Sequence, residues 1–151
     1  TEHVVDLFQF DLKNKNVNFI KDYDPSIPDV NTNKEQLIQA LINLVRNSIQ
    51  ALEFKGNITI RTRTEPSYTI GNDYYPLVTK ISVIDNGPGI PEDKLKEIFY
   101  PMVSTKTGGM GLGLTIAQSI IMQNSGLIEC SSKQRETSFT IVLPVRSKID
   151  A

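Results

Sequence analysis

The residues of this chain that could do chemistry fall in three short stretches. Asp85-Asn86-Gly87-Pro88-Gly89-Ile90 sets a carboxylate at the end of an apolar run, beside two glycines. Gly108-Gly109-Met110-Gly111-Leu112-Gly113-Leu114 is a second glycine turn, preceded by Lys106. Asn43 and Asn47 lie four residues apart in a run of helical periodicity. Six of the 9 glycines (Gly87, Gly89, Gly108, Gly109, Gly111, Gly113) sit in the two turns. Glycine is used where the backbone needs positive φ or where a side chain would block a ligand. Two such turns suggest backbone loops pressed against something bulky and anionic; a pair of ordinary turns is the plainer account.

Each stretch has its own chemistry. A half-buried Asp85 must accept hydrogen bonds or be paired, and the exocyclic amine of a purine is a suitable donor. Gly87 and Gly89 leave room for a flat ring, and Pro88 stiffens the turn between them. The second loop leads into a helix N-terminus at Gly111-Leu112-Gly113-Leu114, where unpaired N–H groups and the positive dipole end attract anions. Lys106 could add a charge to a phosphate, or be a solvated loop lysine. Asn43 and Asn47 are i,i+4 neighbours whose amides point the same way. Neutral amide oxygens can ligate Mg²⁺ without repelling phosphate, and this hard cation prefers oxygen ligands. A polar helix face that happens to use amides is the alternative. Neither glycine turn is the G-x-G-x-x-G of a dinucleotide fold, nor is there the G-x-x-x-x-G-K-[ST] of a P-loop.

The elements that must position these groups can be read from periodicity. Residues 3–12 suit a short helix, and Val17–Ile20 a strand closed by Pro25 and Pro28. Asn31-Thr32-Asn33 before Glu35-Gln36 marks a helix start, and that helix runs to about Leu52 or Phe54, stopping at Gly56. On its wheel Leu37, Ile38, Leu41, Val45, Ile49 and Leu52 form the core stripe, opposite Gln36, Gln39, Asn43, Asn47 and Gln50. Ile58–Thr64 alternates as a half-buried strand. A polar loop holding Pro66, Gly71, Asn72 and Asp73 joins it to Leu77–Ile84 as a hairpin with a loose tip. Asp93–Phe99 gives a short helix, Pro101 to Gly109 a loop, and Leu112 to about Asn124 a helix stopped by Ser125-Gly126. Strands Leu127–Ser131 and Ser138–Leu143 follow. The order predicts an α+β two-layer sandwich: one mixed, mostly antiparallel sheet with helices on one face.

Composition sets the bounds. A length of 151 residues with 39% hydrophobic and 22% charged residues suits one soluble domain, expected to be the whole of 1–151. A net charge of −1 argues against an electrostatic nucleic-acid partner. No apolar run approaches the roughly 20 residues that span a bilayer, so no membrane partner is expected. Thr1-Glu2-His3 reads as the start of a cut-out domain. The single cysteine, Cys130, reads as a small packing residue in a strand, and a reducing cytoplasm fits. His3 lacks the neighbours of a catalytic or metal site and reads as a surface histidine.

Taken together, Asn43-x-x-x-Asn47, Asp85-x-Gly87-x-Gly89, Phe99 with Pro101, and Gly109-x-Gly111-x-Gly113-Leu114 resemble the catalytic ATP-binding domain of sensor histidine kinases. They match that family's N, G1, F and G2 boxes in order, over essentially the whole chain. Asp22–Pro28, Phe99–Ser104 and Gly109–Leu114 are most similar to the nitrogen-regulatory branch. The resemblance implies the Bergerat (GHKL) fold with ATP and Mg²⁺ as cofactors. Asp85 would contact the adenine amine, and Asn47, with Asn43 nearby, would ligate Mg²⁺. Gly87, Gly89, Ile90 and Phe99 would line the nucleotide pocket. Residues 100–110 would form the ATP lid carrying Lys106, and Gly109, Gly111, Leu112, Gly113 and Leu114 would sit at the phosphates. Asn47 and Lys106 would be the catalytic pair.

Such domains pass the γ-phosphoryl group to a histidine on a separate dimerisation domain, and thence to a response regulator. The nitrogen-regulatory likeness adds a PII-type signalling protein as partner. The dimerisation domain with its acceptor histidine is expected to lie outside this piece, and His3 stands in no acceptor motif. Met110 departs from the Thr or Ser of many members, removing a hydroxyl contact to phosphate. Two other readings stand beside the kinase: a self-contained GHKL ATPase, and a nucleotide-dependent switch without chemistry. In the ATPases a glutamate one turn before the metal-binding asparagine activates water. Here Asn43 holds that position and cannot act as a general base at neutral pH.

Overall fold

Along residues 58–63 successive side chains alternate between the two faces of a sheet, with Thr62 joining the buried side. Ile58 and Ile60 are buried, while Arg61 and Arg63 point outward. The computed structural model describes residues 16–25, 33–52, 55–87, 110–133 and 136–145. In chain order these form β1 (Asn16–Asp22), α1 (Lys34–Leu52), β2 (Lys55–Ile70), β3 (Asp73–Asp85), α2 (Met110–Gln123), β4 (Leu127–Lys133) and β5 (Glu136–Pro144). The expected helices at 3–12 and Asp93–Phe99 and the loop from Pro101 to Gly109 lie outside the described residues, as does His3.

One five-stranded sheet runs in the order β1-β2-β3-β5-β4. β1 pairs parallel with β2 and every other pair is antiparallel, which makes the sheet mixed and mostly antiparallel. Its inner face packs Ile58, Ile60, Ile81, Val83, Phe139 and Ile141 against Ala40, Leu41, Leu44, Leu114, Ala117 and Ile121 of the two helices. The expected two-layer arrangement is therefore the observed one. On the outer face Asp22 bonds Arg61 and Arg63, each at 2.8 Å, tying the end of β1 to β2. The Arg63 and then the Arg61 guanidinium hold its carboxyl below the ordinary value.

The hairpin is tighter than the sequence suggests. β2 continues to Ile70 and pairs with Asp73, leaving Gly71-Asn72 as a two-residue turn. Gly71 has φ +62° while Asn72 stays at negative φ, the type II′ pattern that suits the twist of antiparallel strands. Pro66 and Ser67 look like loop residues but are absorbed in the ladder. Pro66 pairs with Leu77, and the ladder skips Ser67, whose φ is +55°. A local break in a long hairpin takes the place of the expected loose tip.

α1 starts at the expected cap: Gln36 N–H donates to Asn33 Oδ1 at 3.0 Å. It is buried more widely than a single stripe. Ala40 and Leu44 join the core at 0% exposure, and between 41 and 49 only Arg46 is exposed. The helix is enclosed because α2 packs along it as well as the sheet. Asn124, just past α2, bridges the two: it accepts from Asn33 N–H at 3.3 Å and donates to Gln36 Oε1 at 3.1 Å.

α2 ends in a Schellman motif, with Gly126 N–H to Ile121 O at 2.9 Å and Ser125 N–H to Met122 O at 3.1 Å. The left-handed residue is Ser125, at φ +65°, not the glycine. Gly126 is required for space: a Cβ there would meet the Val142 carbonyl oxygen at 2.3 Å. Gly126→Ala should therefore destabilise the domain by about 1–3 kcal/mol, the usual range for overpacking a core. Urea denaturation would measure it, and an unchanged midpoint would show that β5 yields without strain.

Candidate functional site

Asp85 is the last residue of β3, opposite Ile58 of β2, and is only 2% exposed. Its inward direction follows from the strand's alternation, since Ile81 and Val83 are buried on the same face. A carboxylate in that position needs donors. Gly87 N–H supplies one, bonding back to Asp85 Oδ1 at 2.9 Å across a tight corner. Ser48 of α1, 1% exposed, supplies a second polar contact. Burial pushes the Asp85 carboxyl above its ordinary value, while the Gly87 N–H and then the Ser48 hydroxyl pull it back. The Ser48 hydroxyl nonetheless falls short of a fully formed hydrogen bond. Sequence reasoning passed over Ser48; its only signal was a small polar residue next to Asn47 within an apolar helix.

The amide pair is buried too, with Asn43 at 8% and Asn47 at 6% exposure. It was expected on a face opposite the core, and is instead enclosed. Gln39 Nε2 donates to Asn43 Oδ1 at 3.4 Å. Among the described residues the Nδ2 groups of Asn43 and Asn47 have no hydrogen-bond partner. Buried polar groups are nearly always satisfied, so two orphans on one helix mark this face as a candidate contact surface. Because Ser48 meets Asp85, the turn of α1 carrying Asn47 and Ser48 packs at the end of β3. The structure thus brings Asn47 and Asp85, far apart in sequence, into one region.

Among the described residues no group of three His, Cys, Asp or Glu side chains could hold a metal. The amides remain as candidates, and they fit Mg²⁺. They are neutral, buried and incompletely bonded, so an amide oxygen can meet the cation while the amide N–H groups meet phosphate or water oxygens.

Of the second glycine turn, Gly111, Leu112 and Gly113 lie in the first turn of α2, which begins two residues earlier than expected, at Met110. Leu114 is 1% exposed and belongs to the core, anchoring the helix start. Gly89, Ile90, Phe99, Lys106 and Gly109 lie outside the described residues. Cys130 packs partly buried against the core. Burial, then the charge of Asp85, push its thiol up to about 12, so it stays protonated and unreactive at neutral pH.

The model of a family described as histidine kinase-, DNA gyrase B-, and HSP90-like ATPases matches residues 32–147, and the chain belongs to that family. It is 47% identical over 146 residues to the sensory histidine kinase/phosphatase NtrB of Salmonella typhimurium, covering 96% of this chain and 42% of the relative. The NtrB of Rhizobium leguminosarum bv. phaseoli is 37% identical over 136 residues, 86% of this chain and 36% of the relative. The chain therefore spans about two fifths of the length of these curated relatives. The catalytic domain of histidine kinase ThkA superposes with a TM-score of 0.78 at 30% identity, covering 95% of this chain and 90% of that one. ThkA in complex with the response regulator protein TrrA superposes with a TM-score of 0.75 at 29% identity, covering 96% and 39%.

Burial of Asp85 has a sign that can be checked. Its folded pKa lies above the ordinary 3.8, so the folded state holds the proton more tightly than the unfolded chain. That contribution to stability is complete below pH 3.8 and is lost as pH rises through the folded value. At pH 7 the ligand-free Asp85→Asn domain should melt at a higher temperature than the parent, with the gap closing as pH falls toward 4. Equal melting at pH 7 would mean that the donors fully offset desolvation.

Proposed function

We propose that this chain binds Mg²⁺-ATP and donates the γ-phosphoryl group to a histidine on a separate dimerisation domain of the same full-length protein. The observation that carries the reading is the pairing, in a member of an ATPase family, of the desolvated Asp85 carboxylate with the orphaned amides of Asn43 and Asn47. Asp85 accepts from Gly87 N–H through Oδ1, and the adenine exocyclic amine would be a further donor to its carboxylate. Asn47 and Asn43 would hold Mg²⁺, which when bound neutralises charge on the phosphate oxygens. Backbone N–H groups of the first turn of α2, at Gly111, Leu112 and Gly113, would meet the phosphates, and Lys106 would add a positive charge. Phosphoryl transfer asks mainly for this positioning and charge neutralisation.

Asn43 favours transfer over hydrolysis, because a neutral amide cannot take a proton from water. A response regulator as the final acceptor is supported by the similarity to ThkA, which has been solved with one. The likeness to NtrB supports nitrogen control, with a PII-type protein as a further partner. No helix among the described residues is long and apolar enough to cross a membrane, and a cytoplasmic setting completes the reading.

Mixing the chain with Mg²⁺, γ-labelled ATP and a separate acceptor-histidine domain distinguishes the possibilities. Label on the acceptor is the expected result. Rapid phosphate release without it would make the chain an ATPase, and binding alone would make it a switch. Asn47→Asp should cut the labelling rate at least about tenfold, since a second negative charge is placed beside the triphosphate. Asp85→Asn should weaken ATP by about ten- to a hundredfold in a fluorescent-nucleotide titration, the effect of losing a hydrogen bond to a charged group. Unchanged affinity would remove Asp85 from the adenine site.

A further inference from the structure

We propose that Asn86 is a positioning residue for nucleotide recognition, acting through Asp85, and that Gly56 and Asn57 form its seat. The proposal rests on the reading of Asp85 as the adenine acceptor. The last paired rung of the β2–β3 ladder joins Ile58 to Asp85, so the next would join Asn57 to Asn86. Only half of that rung is made by the backbone: Asn86 N–H donates to Asn57 O at 3.3 Å. In the other half Asn57 N–H donates at 2.8 Å to the side-chain Oδ1 of Asn86. The side-chain amide oxygen stands in for a main-chain carbonyl.

This substitution lets the chain do two things at once. The sheet keeps its pairing to the end, and the backbone after Asn86 is released to turn. That turn is what brings Gly87 N–H back to Asp85 Oδ1 at 2.9 Å. Asn86 is exposed, so its conformation comes from these bonds and not from packing. Its seat is shaped for it. A Cβ on residue 56 would lie 2.7 Å from Asn86 Oδ1 and 2.4 Å from Leu52 Cδ2. Gly56, read from sequence as a helix stop, lies instead within β2 and makes the space in which the amide and Leu52 meet. Leu52 is one turn of α1 beyond Ser48, the other residue that touches the carboxylate. Asn57 Oδ1 also accepts from Asn18 Nδ2 at 3.5 Å, joining β1 to the same corner. The clamp therefore fixes the Asp85 carboxylate relative to both the strand and the helix that flank it.

The role needs an acceptor atom at one reach from the backbone, which Asp supplies as well as Asn, and Ala or Gln does not. Affinities for ATP and for ITP, which lacks the exocyclic amine, would be measured for the parent, Asn86→Ala, Asn86→Asp and Asp85→Asn. The expected result is that Asn86→Ala loses about tenfold for ATP and little for ITP, the effect of a misdirected hydrogen bond. Asn86→Asp should restore the ATP/ITP ratio. Exchange of the Asn57 amide proton should speed up in Asn86→Ala and not in Asn86→Asp. Equal loss for both nucleotides, or a lower melting temperature with the ratio intact, would reduce Asn86 to a structural residue and overturn the proposal. If Asn86→Ala folds poorly, Asn86→Gln moves the oxygen by one methylene and gives the same comparison. Should Asp85→Asn leave the ratio unchanged, the adenine reading fails and this proposal with it. If Asp85→Asn collapses the ratio and Asn86→Ala does not, only the positioning role fails.

Discussion

A carboxylate at the end of a central strand, turned into the core and almost fully out of water, is the constraint on which the rest of this structure depends. Taking such a charge out of water without donors costs several kcal/mol even after relaxation. The fold answers with one backbone N–H from Gly87 and sets the Ser48 hydroxyl nearby, and burial still holds the carboxyl above its ordinary value. A core of leucine and isoleucine would have been easier to build at this point. Retaining Asp85 means keeping a buried carboxyl at the end of a core strand. Near it, the Nδ2 groups of Asn43 and Asn47 and the Ser48 hydroxyl are buried without a hydrogen-bond partner among the described residues.

Helix α1 has to serve the core and the site at once. Ala40, Leu41, Leu44 and Val45 are essentially inaccessible, and Asn43, Asn47 and Ser48 are interleaved with them. With 3.6 residues per turn, rotating the helix by a single residue would exchange the apolar and amide sets. Its rotation is fixed at the N-terminus by the Asn33 cap and by Asn124, which reaches across from the end of α2. The same network fixes α2 at the end remote from its glycine-rich first turn, and the Gly126 contact with β5 closes it off. The glycines at the working end are thus carried on a helix whose other end is firmly held.

Much of this was legible in the sequence, for reasons that differ from residue to residue. The cap at Asn33, the alternation through Ile58–Thr64 and the stop at Ser125-Gly126 are local signals, and local physics made them. Asp85 was legible because a carboxylate closing an apolar strand is anomalous, and Asn43 and Asn47 because amides are poor helix formers. What local reasoning missed depends on tertiary contacts. The burial of the amide face is a tertiary effect, which no wheel of α1 can show. Ser48 matters because it meets Asp85, 37 positions away by the difference of the two residue numbers. Gly56 was assigned to the helix end because glycine commonly stops helices, whereas its need arises from Leu52 and Asn86 closing on it from two other elements. Pro66 and Ser67 suggested a loop because hairpin pairing on both sides, which tolerates them, is invisible from one strand.

The distribution of charge carries the last step. Asp85 is the one acidic side chain among the described residues that the core encloses, and it lies where a base and not a phosphate is proposed to bind. The helix proposed to face the triphosphate presents amides in place of carboxylates. An anionic ligand of several charges would be repelled by a buried carboxylate at close range, an interaction of roughly 4 kcal/mol per pair of unit charges at 4 Å and an intermediate dielectric. Amides escape that repulsion and still offer oxygen to a cation and N–H to phosphate. Substituting Asn43 for an acid therefore does two things: it removes the base that would activate water, and it lowers the electrostatic cost of holding a triphosphate against α1. Both consequences agree with the proposed transfer to a separate acceptor in preference to hydrolysis.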